Sequence, residues 1–244
     1  MDSRTSPVPR LEIPVSHAAP SSRTRMRRGA QRADYSPDTV RGILAEASLC
    51  HVAFSDGEQA HVIPTAYGLL GDELCIHGST ANRVLRALAQ GAEACLEVTL
   101  VDGLVLARSA FHHSMNYRSV ILYGRARVVD EPAEKLDAMR ALIEHLMPGR
   151  WDDVRAPSPE EFARTLVLAL PIDEASAKLR TGPPAEEEDD YAIPCWAGVL
   201  PLGTVAGAPV DDGRLVAGVE VPGYVSGLAP SPSLSRGKRD GEGA

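Results

Sequence analysis

Two hydrophobic periods alternate along the chain. Ser36-Pro37-Asp38 supplies a cap, a proline for the first helical position and an acid for the first turn. Val40, Ile43, Leu44 and Ala47 then recur at helical spacing, so a helix is predicted there. Residues 49–55 read as a strand, Asp56-Gly57 as a turn, residues 60–68 as a second strand, Gly71-Asp72 as another turn, and residues 73–77 as a third strand. A helix is predicted over 80–90, with Val84, Leu85 and Leu88 inward and Gly91 as its stop. Residues 93–101, Asp102-Gly103 and residues 104–110 give the strongest hairpin signal in the chain. A long strand is predicted over 118–129, then a helix over 132–146 striped by Leu136, Met139, Leu142, Ile143 and Leu146, and later strands over 165–172 and 198–202.

Short turns join most of these strands, which suits antiparallel neighbours, and the helices are too few for a doubly wound sheet. The predicted class is therefore mainly β (α+β): a closed antiparallel barrel with peripheral helices, since closure removes edge strands.

Length changes this picture little. At about 150 residues per domain the 244 residues make one domain with extensions. The expected division is a disordered basic tail over 1–34, a folded domain over 35–203, and a Gly/Pro-rich extension over 204–244 that is largely disordered towards its end. Charge is uneven. Residues 1–32 hold seven arginines against two acids, and the remaining residues carry 18 basic and 31 acidic groups. The lead has no apolar core of the secretory kind, and an organelle transit peptide or an anion-binding arm are the alternatives to a plain tail. A net charge of −8 argues against general nucleic-acid binding. No stretch approaches the ~18–20 apolar residues of a spanning helix, so no membrane association is expected. Cys50, Cys75, Cys95 and Cys195 show no metal-type spacing and read as reduced thiols inside strands of a cytoplasmic protein.

Common dinucleotide, NTPase, hydrolase and zinc-peptidase motifs are absent. Three other segments place polar groups against apolar strands. In His61-Val62-Ile63-Pro64-Thr65-Ala66-Tyr67, a proline inside a strand marks an edge or bulge, where free backbone groups can meet a planar heterocycle. In His77-Gly78-Ser79-Thr80-Ala81-Asn82-Arg83, a strand end runs into a helix start and offers donors and a cation to an anion, or simply a capped helix. Ser109–Ser119 gathers His112, His113, Asn116, Tyr117, Arg118 and Ser119 between strands, as a ligand loop or a solvated one. Adjacent His112 and His113 would point to opposite faces of a strand, so no metal site is expected.

Taken in this order, Cys50-His51-Val52-Ala53-Phe54, His61-Val62-Ile63-Pro64-Thr65, His77-Gly78-Ser79 and Asn116-Tyr117-Arg118-Ser119-Val120 resemble the pyridoxamine 5′-phosphate oxidase-like, FMN-binding split-barrel family. The branch is that of flavin-nucleotide-binding proteins and Nim-type nitroimidazole reductases. The resemblance is strongest over about 35–129 and continues more loosely through Lys178-Leu179-Arg180-Thr181-Gly182 and Trp196-Ala197-Gly198-Val199. It implies a six-stranded antiparallel split β-barrel, a homodimer, and FMN at the subunit interface. By motif position, His61, Val62, Ile63, Pro64 and Thr65 would line the isoalloxazine, Ser79, Asn82 and Arg83 would hold the phosphate beside Gly78, and Tyr117, Arg118 and Ser119 would approach the flavin. A single Arg83 stands where the oxidases have an Arg-Lys pair, and their C-terminal Trp…Arg motif has no match, which argues against vitamin B6 oxidation. His77 is the leading general acid, since imidazole titrates near neutrality.

The expected function is an FMN-dependent oxidoreductase that reduces a small-molecule electrophile such as a nitroaromatic or quinone. The alternative is a non-catalytic flavin or haem module, with His77, His112 or His61 as the axial ligand; deazaflavin is a further cofactor option.

Overall fold

The computed structural model describes residues 18–228. Its elements run β1 (Ala33–Asp34), α1 (Pro37–Glu46), β2 (Leu49–Asp56), β3 (Gln59–Ala66), β4 (Gly68–Leu70), β5 (Glu73–Ser79), α2 (Arg83–Ala89), β6 (Glu93–Leu106), β7 (Ser114–Arg125), β8 (Arg127–Val128), α3 (Pro132–Leu146), α4 (Pro159–Arg164), β9 (Thr165–Pro171), β10 (Ala175–Arg180), β11 (Gly198–Pro201) and α5 (Gly223–Ser226). The strands form a seven-stranded sheet, ordered β1-β10-β7-β6-β2-β3 with β11 also on β6, and a four-stranded sheet ordered β4-β5-β9-β8. All pairings are antiparallel. The mainly β, antiparallel class with peripheral helices is as expected.

Alternation sets the faces. Cys50, Val52 and Phe54 of β2, Ala94, Leu96 and Val98 of β6, and Val120 and Leu122 of β7 point into one core, shared with Leu74 and Ile76 of β5 and Leu168 and Leu170 of β9. The opposite face of β5 and β9 carries Cys75, Val167 and Ala169, which α3 covers with Ala138. Burial on both faces explains why β9 reads as a continuous apolar run. Helix α1 closes the main core with Val40, Ile43 and Leu44, after a Ser36 cap that accepts from Thr39 N.

Several expectations need correction. Asp102-Gly103 is not a hairpin turn: β6 runs unbroken through it, with a bulge between Val101 and Gly103. A two-residue hairpin of the Asp-Gly kind needs positive φ, and neither residue has it. Gly103 is there for a different reason, because an added Cβ would lie 3.0 Å from Leu200 O, so its bareness lets β11 approach. The stripe on α3 is narrower than predicted: Ala138 and Leu142 are buried, whereas Leu136 and Leu146 face solvent. The helix predicted over 80–90 starts only at Arg83, and the strand predicted from 118 begins earlier, at Ser114, so Asn116 and Tyr117 also lie within β7. Strand β10 and helix α4 were not anticipated; the capping box at Ser158 and Glu161 was the readable signal for α4. Cys195 is exposed and outside any strand, unlike buried Cys50 and Cys75. Of the predicted basic tail, residues 1–17 lie outside the described residues, but Thr24 is buried and Arg23 reaches both Glu93 and Glu174. Of the extension, residues 229–244 lie outside the described residues, while 203–221 run as irregular chain on the surface.

Candidate functional site

The polar residues singled out above sort into three places. The first lies where β3, an edge strand of the larger sheet, meets the end of β5 and the start of α2. Alternation divides β3. His61, Ile63 and Thr65 share the side of Phe54, Val52 and Cys50, whereas Val62 and Pro64 share the outer side of Ala53 and His51. Pro64 sits on an edge, where a missing N–H is tolerated. His61 stacks on Phe54 with ring centroids 5.0 Å apart, and its Nε2 is 3.3 Å from Arg83 Nη2, which donates to Asp56 Oδ2 at 2.9 Å. The structure therefore joins the first two sequence segments. Ser79 Oγ accepts from Ala81 N, and Asn82 Oδ1 accepts from both Val84 N and Leu85 N. Asn82 thus consumes the second and third N–H groups of a short helix, so an anion here would be held by Arg83 and the exposed Ser79 and Thr80. Gly78 is close-packed, with its would-be Cβ 2.8 Å from Leu85 Cδ1.

The second place belongs to His77. It is on the opposite side of β5 from Ile76, in a groove of 330 Å³ lined by Met139, Leu142, Ile143, Trp151 and Arg155. Desolvation by these neighbours lowers its pKa from the usual histidine value. None of the β3 residues lines this groove.

The third place surrounds Arg118 on β7, three strands from β3 in the sheet order. Its guanidinium donates to Asp102 through Nε at 2.9 Å and Nη2 at 2.7 Å, and to Glu46 through Nη2 at 2.7 Å and through Nη1. These carboxylates raise the Arg118 pKa, and Arg118 in turn lowers that of Glu46. Little of its fork remains for an anion. Ser119 Oγ donates to Lys178 O at 3.4 Å. Tyr117 lies across from Val101 and Arg180, and its neighbour Asn116 is buried and bonded to Arg180 and to Gly182 O. Within one chain, Tyr117, Arg118 and Ser119 are not brought to the β3–α2 group.

A cavity of 830 Å³ adjoins Arg118, and nothing in the sequence pattern pointed to it. Strand β7 pairs one edge of β6 over nearly its whole length, and the other edge is shared by β2 at Ala94–Leu96 and Glu97 and by β11 from Gly103 onward. Between them residues 98–102 have no strand neighbour on that edge. The cavity wraps this gap, touching Leu49, His51, Glu97, Thr99 and Val101 on one side of the sheet and Leu100 and Arg118 on the other. His51 Nδ1 is 3.5 Å from Glu97 Oε2, and Thr99 Oγ1 donates to Glu97 Oε1. His51 stood inside a quoted motif, but the Glu97 pairing depends on the β2–β6 register, which no local pattern reveals.

An antiparallel two-sheet body with peripheral helices is the architecture of split-barrel proteins. The chain belongs to the pyridoxamine 5′-phosphate oxidase family, whose model matches residues 36–179. Among solved structures, the flavocytochrome Anf3 of Azotobacter vinelandii is 39% identical, covering 87% of this chain and 99% of that one, with a TM-score of 0.81. A FAD- and haem-binding protein of Mycobacterium smegmatis is 40% identical, covering 81% of this chain and 97% of that one, with a TM-score of 0.78. A 5-nitroimidazole antibiotic resistance protein of Bacteroides thetaiotaomicron, 21% identical over 60% of this chain and 85% of that one, shares the fold with a TM-score of 0.51. No curated protein matches. Among the described residues, no helix is long and apolar enough to cross a membrane.

Proposed function

We propose that this protein is a flavin- and haem-binding oxidoreductase of the flavocytochrome kind. The observation that carries the reading is the near-full-length likeness, at about 40% identity, to two proteins named for a flavin and a haem. A flavin fits the free edge of β3, with Val62 and Pro64 exposed beside the ring and the phosphate end towards Arg83, whose side chain is two-thirds exposed. A bound flavin would supply hydride and single-electron chemistry, and the chain's residues would position it and set its surroundings. FMN is the family's expected flavin, and FAD is the one named in the Mycobacterium relative. The final acceptor would be a small electrophile such as a quinone or nitroaromatic.

We further propose a homodimer. Leu49, Val62 and Val101 lie on the outer side of the large sheet at 49%, 63% and 40% exposure, and a second copy seated there would cover them. The test of the cofactor reading is an absorbance spectrum of the purified full chain, followed by extraction and mass identification of what is bound. One flavin and one haem per chain are expected. A colourless protein that stays so after incubation with FMN, FAD and haemin would sink the reading.

A further inference from the structure

The groove against His77 has no part in the flavin site on β3. We infer that it binds a small phenol, one aromatic ring carrying a hydroxyl, and that His77 recognises the hydroxyl. The inference is independent of the flavin and haem readings. Size points to a single ring: at 330 Å³ the groove is at the lower end of the roughly 300–1,000 Å³ that small-molecule sites span. Its walls point to an apolar, flat ligand. Helix α3 supplies Met139, Leu142 and Ile143 on one side, and the segment between α3 and α4 supplies Trp151, Val154 and Pro157 on the other. An indole and a thioether are favourable neighbours for an aromatic ring.

The second wall is held in place by specific bonds. Glu144 accepts from Gly149 N at 2.7 Å and from Trp151 N at 2.8 Å, which sets the indole. Arg155 donates to both oxygens of Glu161 at 2.6 Å, so the two charges of the groove answer each other and neither draws an ionic ligand. His77 supplies the specificity. It shares the α3 side of β5 with Cys75, and among the described residues its ring has no hydrogen-bond partner. Desolvation lowers its pKa, so the ring is neutral at pH 7 and presents one donor and one acceptor. A hydroxyl both donates and accepts, and so it can meet whichever nitrogen faces the groove.

The experiment titrates the full chain with p-cresol and with toluene, which is the same ring and methyl without the hydroxyl, by ligand-observed NMR. Wild type, His77→Ala, His77→Gln and Val154→Trp are compared, with unfolding midpoints as a check on folding. Wild type is expected to bind p-cresol with a dissociation constant on the order of 1 mM, the scale for so small a ligand, and toluene about 2–12-fold more weakly, the worth of one net hydrogen bond. His77→Ala should bind the two equally, and His77→Gln should restore the preference. Val154 is 37% exposed, so a tryptophan there can fill the groove from its rim, and Val154→Trp should lose both ligands. A wild type that takes up no p-cresol at ten times that concentration overturns the inference. So does equal affinity for the two ligands in wild type, an unchanged preference in folded His77→Ala, or unchanged binding in folded Val154→Trp. Displacement of p-cresol by FAD but not by FMN would assign the groove to the adenylate of a cofactor and overturn it as well.

Discussion

Cys50 and Cys195 show how one residue type takes opposite roles. Cys50 is fully buried, donates weakly to Thr65 O, and is pushed up to about 12 by desolvation; buried Cys75 is pushed up to about 11. Cys195 is exposed. A thiol reagent should therefore modify Cys195 at once in native protein, and Cys50 and Cys75 only on unfolding, as counted by mass spectrometry. The same shifts set a pH dependence. Above the ordinary thiol pKa near 9 the unfolded chain loses protons that the folded chain retains, so stability falls as pH rises. The contribution of these thiols is fully present below about pH 9 and is lost as pH climbs through about 11 and about 12. Urea midpoints measured from pH 8 to pH 11 should decline, and a Cys50→Ala, Cys75→Ala variant should decline less steeply. A decline equally steep in that variant would assign it to other groups.

Element packing is tightest where β4 crosses α3. A Cβ on Gly68 would stand 2.6 Å from Leu142 N and 2.7 Å from Ala141 C, both backbone atoms that cannot swing aside. Gly68→Ala must push α3 off the strand, at a cost of about 1–3 kcal/mol in denaturant unfolding. Gly57→Ala offers the contrast: its site is open space, but its φ of +62° strains any side chain. A Gly68→Ala loss no larger than about 0.5 kcal/mol, the scale of an ordinary surface change, would show that α3 yields freely. Tyr67 holds the adjoining joint, with its hydroxyl 2.6 Å from Leu44 O and 2.7 Å from Ala47 O, the latter also 2.7 Å from His145 Nε2. This joint fixes the end of α1, and so places Glu46 against Arg118 at the large cavity.

At the scale of the molecule, several large apolar side chains among the described residues stand exposed. Beyond the outer face of the large sheet, Val205, Val210 and Val216 of the surface stretch are exposed at 78%, 92% and 77%. A second copy is the occupant that fits the proposed dimer. Sedimentation should give twice the 26.0 kDa chain mass. Val62→Glu combined with Val101→Glu should shift it to monomer, since like charges buried face to face carry a large desolvation cost. A wild-type monomer at micromolar concentration would end the dimer proposal.

Local chemistry determined much of this protein from sequence alone. The Ser36 cap, the strand alternation of β2 and β3 and the stop at Gly91 all depend on neighbours within a few residues, and they stand in the structure near where the pattern put them. Register and packing across the fold decided the rest. Asp102-Gly103 is written like a turn, yet β11 and Arg118 hold it in a continuous strand. Arg118 looks like an anion ligand until Glu46, far away in sequence, closes on it. His51 and Glu97 become a pair only because β2 lies beside β6 in one register out of many, and the cavity they share exists only because β2 and β11 part along the same edge. Periodicity reports which way a side chain points; what it meets there is set by long-range contacts that no local pattern encodes.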